Sequence, residues 1–267
     1  MEYFFENNNL ESEEKNINLN LNLNNNNEDK NIKIKENNIV DKIYKNYSLT
    51  SDILFHSLIG ILNLKVNCFF NTGLQIILHS YNFILDIIYD INNKKDNYNY
   101  SANSISKAFI EFINLIIITF IEKNEIKSID NIYDRLITNK IDIRGNNIAV
   151  SPKQLLKVFT DNHPMYKNSQ EDCVEFIRVF LNDLSVENNK NISPQSHKEL
   201  SYSGKSKSEA SKEFHINYIR KENSTVIKNF YFQIMNTYVC SCGYETFSFD
   251  KYLDLPLLIA EEKKVIN

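Results

Sequence analysis

A chain of 267 residues is long enough for one large domain or two small ones. Its formal net charge of −4 leaves no basic footprint for nucleic acid. Its four cysteines show no secretory disulfide framework, so a reducing compartment, cytoplasmic or nuclear, is expected. The opening MEYFFENNN has neither a basic n-region nor an apolar core, so no signal peptide is expected.

Residues 1–49 are biased towards Asn, Lys, Glu and Ile, with the repeat-like NINLNLNLNNNN. Such a stretch lacks the aromatic mass for a core and is expected to be disordered. The folded part is expected over 50–267. A helix is predicted from Cys68 to about Tyr89, with Phe70, Leu74, Ile77 and Tyr81 at core spacing. A polar loop over 92–103 precedes a second helix from about Ser104 to Glu122. Its apolar run, Phe109 to Ile121, is interrupted by Glu111 and Asn114 and is shorter than the ~20 residues that span a bilayer, so no membrane association is expected.

Ser151-Pro152-Lys153-Gln154 reads as a helix start with Pro at the first helical position, and His163-Pro164 as its end. In SQEDCVEFIRVFLNDL, Ser169 reads as an N-cap with Asp172 at the capping-box position. Cys173, Phe176, Ile177, Phe180, Leu181 and Leu184 form the apolar stripe of that helix. The polar stretch 186–224 is expected to be a flexible insertion. Phe230, Phe232, Ile234 and Tyr238 then alternate as a strand does.

Chemistry concentrates in GILNLKVNCFFNTGLQ, residues 60–75. Cys68 falls where an Asn-containing loop meets an apolar helix, and the unpaired N–H groups of a helix start favour a thiolate, the form in which cysteine is a nucleophile. Asn63, five residues upstream, is a neutral amide donor of the kind that stabilises an oxyanion. The plainer alternative is that Cys68 is a small buried hydrophobe. Asp172 and Glu175, three apart on one helix face, suit either a basic partner or a solvated acidic edge.

The 60–75 run resembles the cysteine box of the ubiquitin-specific proteases, approximately G-L-x-N-L-G-N-T-C-F-M-N-S-x-L-Q. Gly60, Asn63, Leu64, Cys68, Phe69, Asn71, Leu74 and Gln75 match without a gap. Lys65 replaces a glycine, Asn67 a threonine and Phe70 a methionine, while Val66 takes a variable position. If that glycine serves a positive φ, lysine there costs strain. Residues 169–184 resemble the family's Q-Q-D-A-x-E-F-L-x-x-L-L-D-x-L segment through Gln170, Asp172, Glu175, Phe176, Leu181 and Leu184. The stretch 227–259, closing on Leu255-Pro256-Leu257, resembles the start of the family's fingers.

The resemblance implies an α+β, papain-like cysteine protease fold, truncated here to a helical thumb followed by the start of the β fingers. It implies Cys68 as nucleophile, Asn63 as oxyanion donor, and Asp172 and Glu175 as ligands of the Arg-rich tail of ubiquitin. Ubiquitin and ubiquitinated proteins are the implied partners. No cofactor is implied for catalysis. Cys240 and Cys242 would be two of four thiolates of a structural zinc in a longer protein, at a Cys-x-Cys spacing where the family has Cys-x-x-Cys. The family's histidine follows the fingers in a Gly-His-Tyr context. None of the five histidines, 56, 79, 163, 197 and 215, has that place, and His215 precedes the fingers. The expectation is a thiol deubiquitinase of which this chain carries the nucleophile half, with a non-catalytic ubiquitin-binding protein on the same fold as the alternative.

Overall fold

The computed structural model describes residues 60–93, 101, 103–123, 149–191 and 204–255. The Asn-rich segment 1–49, His56, His197 and the residues after Leu255 lie outside the described residues. The elements in chain order are β1 (Gly60–Ile61), α1 (Cys68–Leu78), α2 (Tyr81–Asn93), α3 (Ile105–Lys123), β2 (Ala149–Val150), α4 (Lys153–Asn162), a 3₁₀ turn (Pro164–Tyr166), α5 (Cys173–Glu187), α6 (Lys207–Lys221), α7 (Thr225–Phe230), β3 (Phe232–Val239) and β4 (Glu245–Tyr252). Helices and strands are segregated rather than alternating, an α+β arrangement.

The core lies where α1, α3, α4 and α5 meet. α1 buries Phe69, Phe70, Leu74, Ile77 and Leu78, and α5 buries Phe176, Phe180, Leu181 and Leu184, both at helical spacing. The two helices close on Gly73. A Cβ at that position would lie 2.4 Å from the Phe176 ring, so only glycine allows this approach. α3 is apolar on most of its circumference because α4, α5 and β2 all pack on it. Its start is capped from a distance of 82 residues in sequence. The Glu187 carboxylate accepts from the N–H groups of Ile105 (2.9 Å) and Ser106 (2.7 Å), placing negative charge at the positive helix end.

β1 and β2 pair in parallel, with Gly60 opposite Ala149 and Ile61 opposite Val150. That pairing fixes where the chain enters the loop before Cys68. β3 and β4 form an antiparallel hairpin, registered from Phe232 opposite Tyr252 to Val239 opposite Glu245. At its tip the Cys240 N–H donates to Tyr244 O (2.8 Å), and Gly243 takes a φ of 83°, a conformation suited to glycine. The hairpin rests on α6 through Phe214 and Phe249, whose ring centroids are 5.7 Å apart.

The structure corrects five local expectations. The Cys68 helix does not run to Tyr89; it ends at Leu78, and a new helix starts at Tyr81. The His79 Nδ1–H donates to Gln75 O (2.7 Å) beside the His79 backbone N–H (3.1 Å), and the Ser80 hydroxyl donates to Ile76 O (3.3 Å), so side chains join the backbone donors at the break. Pro152 occupies the N-cap of α4, one residue earlier than the reading of Pro at the first helical position, and no side-chain cap bond forms there. Ser169 is not the cap of α5. Its hydroxyl donates to Met165 O (2.9 Å), and Asp172 is the N-cap. The stretch 186–224 contains α6, nucleated by a capping box between Ser206 and Glu209. Phe230 belongs to α7, capped by Ser224, rather than to the strand.

Candidate functional site

Cys68 is the first residue of α1 and its side chain is exposed, which removes the reading of a buried small hydrophobe. The loop before it is pinned by two asparagines one helical turn apart. Asn67 is 4% exposed. Its Oδ1 accepts from the Leu64 N–H (2.6 Å), and its amide donates to Asn71 Oδ1 (2.9 Å). Asn71 in turn donates to the carbonyls of Ile61 (3.2 Å) and Leu62 (3.1 Å). The chain from β1 to Cys68 is therefore tied to the first turn of α1 at three backbone groups.

The same network shapes the helix end. Asn67 stands at the N-cap but makes no cap bond to the first turn, because its oxygen is turned back to Leu64. The N–H groups at the start of α1 are left without a side-chain acceptor from the cap. Such groups are donors for an anion. The loop also carries Lys65 at a φ of 98°, the conformation for which a glycine at that place would be selected. Asn63 is exposed on the same loop. A cleft of about 270 Å³ opens beside it, with Leu64, Val66, Phe69, Lys157, Tyr166 and Asn168 among its lining.

Asp172 and Glu175 are both exposed at the start of α5. Asp172 Oδ1 accepts from the N–H groups of Val174 (2.7 Å) and Glu175 (2.9 Å), so one carboxylate oxygen is committed to the cap. Arg178, one turn along from Glu175, is turned to Asp254, with Nε at 2.8 Å and Nη2 at 2.6 Å from its two oxygens. That pair holds the end of β4 against α5 and leaves Glu175 without a bond to it.

Of the three described histidines, none is hydrogen-bonded to Cys68. His79 lies at the far end of α1, eleven residues and so about 16 Å along the axis. His215 is exposed on α6. His163 ends α4 and donates Nε2–H to Asp183 Oδ2 at 2.6 Å. Burial pushes the Asp183 carboxyl up, against the His163 hydrogen bond that favours its ionised form. This His–carboxylate pair lines a different cleft, of about 750 Å³, with Arg178, Tyr231 and Asp254, and shares no lining residue with the cleft lined by Leu64, Val66 and Phe69.

Cys240 and Cys242 are both exposed at the tip of the β3–β4 hairpin. The Cys242 N–H and thiol, with the Ser241 hydroxyl, bond to Cys240 and hold its thiol below the ordinary range. Among the described residues no three His, Cys, Asp or Glu side chains come together as a metal would require. Two thiolates do not make a tetrahedral site, so these residues alone do not fit a zinc ion.

The positions missed in the sequence are Asn67 and Asn71 as loop-positioning groups. Their four-residue spacing across a helix start was the available signal. Comparison with known proteins agrees with the geometry. The profile of the family described as Ubiquitin carboxyl-terminal hydrolase matches residues 59–256. Ubiquitin carboxyl-terminal hydrolase Usp2 of Drosophila melanogaster is 32% identical over 114 residues, 42% of this chain. The match spans 12% of that protein's length.

Proposed function

This chain belongs to the ubiquitin carboxyl-terminal hydrolase family, with the α+β papain-like fold that goes with it, and from that premise we propose that Cys68 is the nucleophile of a thiol deubiquitinase. The observation that carries the reading is an exposed thiol at a helix start whose loop is fixed by Asn67 and Asn71 and whose cap side chain is turned away. In this reading the Cys68 thiolate attacks the carbonyl carbon of the bond after the C-terminal glycine of ubiquitin. The N–H groups at the start of α1 and the Asn63 amide donate to the oxygen as it gains charge. The leaving amine takes a proton from a general acid, a role the sequence gives to none of the chain's five histidines, and water then releases ubiquitin from the thioester.

Asp172 and Glu175 bind the basic tail of ubiquitin. Asp172 uses its uncommitted oxygen, so its role in the α5 cap and its role in binding are separable. Cys240 and Cys242 complete a zinc site only with two further ligands from outside the described residues.

A second reading, a ubiquitin-binding protein without catalysis, draws on the positive φ at Lys65 and on the lack of a histidine bonded to Cys68 among the described residues. One experiment separates the two. The full chain is mixed with ubiquitin carrying a C-terminal electrophile, alongside Cys68→Ala, and reversible ubiquitin binding is titrated in parallel. Capture that is lost in Cys68→Ala supports the enzyme. Binding without capture in a folded chain supports the binder, and capture surviving in Cys68→Ala removes Cys68 from the mechanism. In the titration, Glu175→Gln and Asp172→Asn each weaken binding up to about fivefold, the scale of an exposed ion pair. Asparagine is also a good N-cap, so Asp172→Asn does so without unfolding α5.

A further inference from the structure

The cleft of about 270 Å³ between α4 and the loop before α1 is rich in donors that have no acceptor. Lys153, Lys157 and Lys167 line it against a single acid, Asp161. Lys153 and Lys157 stand four apart on α4 and so share a face. None of the three lysines is in an ion pair among the described residues. The hydroxyls of Thr160 and Ser169, also in the lining, are already committed, donating to the carbonyls of Lys157 (3.2 Å) and Met165 (2.9 Å). Tyr166 is not. It lines the cleft, is 3% exposed, and its buried hydroxyl has no hydrogen-bond partner. Among the described residues, no other buried side-chain polar atom is left in that state. Phe69 and Phe159 hold its ring, with centroids at 5.9 and 5.1 Å. A buried donor without an acceptor is a cost that a ligand removes.

The two kinds of donor suit different acceptors. Burial first, then the charges of Glu175, Glu171, Asp172 and Asp183, push the Tyr166 phenol up, so it keeps its proton. The same carboxylates disfavour an anion at the hydroxyl, where a neutral carbonyl oxygen fits. The exposed lysines suit a carboxylate. Leu64, Val66 and Leu156 add an apolar wall. A peptide brings all three: a backbone carbonyl, an acidic side chain and an apolar one. We propose that this cleft binds an acidic, apolar peptide segment of the protein to which ubiquitin is joined. A backbone carbonyl of that segment accepts from the Tyr166 hydroxyl, and an acidic side chain meets Lys153 and Lys157. The assignment rests on the reading of the chain as a deubiquitinase, and charge decides between the two halves of the conjugate. The basic tail of ubiquitin belongs at Asp172 and Glu175 and is repelled by a lysine-lined cleft. The lining includes Asn67 and Phe69, the residues on either side of Cys68, so the occupant lies against the segment that presents the thiol.

The full chain is titrated with a fluorescein-labelled peptide of alternating glutamate and leucine, and with its lysine and leucine counterpart, by fluorescence anisotropy. Binding of the acidic peptide alone is the expected result. The double variant Lys153→Glu, Lys157→Glu weakens it about tenfold, as two exposed pairs are lost. Tyr166→Phe, which keeps the ring, weakens it about fivefold. Urea unfolding of Tyr166→Phe shows no loss of stability, because an unpartnered hydroxyl is removed. A loss there would mean that the hydroxyl is already bonded in the free chain, and would overturn its role. Equal affinity for both peptides, or no loss in either variant, overturns the proposal. Displacement of the peptide by an equal concentration of inorganic phosphate reduces the cleft to a small-anion site, and displacement by free ubiquitin overturns the assignment to the conjugated protein. Capture by electrophilic ubiquitin tests the underlying reading separately. Capture without peptide binding refutes the cleft alone. Peptide binding without capture upholds the peptide site and refutes the enzyme, and with it the assignment to a conjugated protein.

Discussion

Around Phe176, four phenylalanine rings (69, 70, 159 and 180) lie with centroids between 4.8 and 5.9 Å from its own. In the β3–β4 hairpin only Phe249 is buried. The helical body is thus held by apolar packing, while the hairpin is attached through a single buried ring, Phe249 on Phe214, and through polar groups at its margins. Lys251 pairs with Glu222 (3.1 Å), Lys207 with Glu245, and the Gln233 amide donates to the Ser211 hydroxyl (2.9 Å). Exposed ion pairs of this sort contribute little each, about 0–1 kcal/mol. Cys68 lies on the apolar-packed body, and Cys240 and Cys242 on the hairpin.

Truncating one side chain in each region tests this contrast most directly. Phe176→Ala is expected to destabilise the chain by about 3–5 kcal/mol, because the ring is fully buried and shared by both α1 and α5. Tyr238→Ala, at a residue 58% exposed on β3, is expected to change stability by no more than about 0.5 kcal/mol. Urea unfolding of the two variants measures both. Equal losses would mean that the hairpin is integral to the core after all.

The same contrast governs how much was legible beforehand. Helical spacing located the α5 stripe and the buried α3 to within a residue or two, because packing in the body obeys periodicity. The cysteine box placed Cys68 at the start of α1 by resemblance, and the structure puts it there. The errors at the end of α1 and at α7 lie where short polar contacts override apolar pattern. His79 and Ser80 break an apolar run that continues through Tyr81, and Ser224 caps a helix in a stretch that alternates like a strand. α6 escaped notice because only Ala210 and Tyr218 are buried along it, so its capping box was the one clear signal. Contacts such as Glu187 capping α3, or Gly73 admitting Phe176, depend on tertiary placement and have no local signature.

The thiols of the two regions differ in the same sense. Hydrogen bonds from the Cys242 N–H and its neighbours hold the Cys240 thiol below the ordinary range, while burial and the Asp172 carboxylate hold Cys173 above it. Thiolate is the species that alkylates. As pH rises, Cys240 is expected to react with iodoacetamide at a lower pH than an unperturbed thiol, and Cys173 at a higher one. Site-resolved mass spectrometry across neutral and alkaline pH gives the two profiles, since below its pKa a thiol gains about tenfold in thiolate for each step of one pH unit. Coincident profiles would show that the start of α5 opens to solvent.

A finer effect lies at the junction of scaffold and site. Lys65, at a φ of 98°, sits in a region that L-residues occupy at a cost of about 1–3 kcal/mol, and glycine occupies it freely. Glycine also loses more freedom on folding, which offsets about 0.5–1 kcal/mol of any gain. Lys65→Gly is therefore expected to stabilise the chain by about 1 kcal/mol, raising the urea midpoint at unchanged slope. Lys65→Ala keeps a Cβ and removes the charge, so it should show no such gain. Equal gains from both would assign the effect to the lysine side chain and not to the backbone. A gain in glycine alone would mean that Asn67 and Asn71, whose side chains bond the backbone just before Lys65, hold the loop in its shape against strain. If Lys65→Gly also speeds capture by electrophilic ubiquitin, the strain is felt at Cys68 and the lysine moderates the thiol. If stability rises and capture does not change, the asparagine pair already isolates Cys68 from Lys65, and the lysine loses its weight as an argument against catalysis.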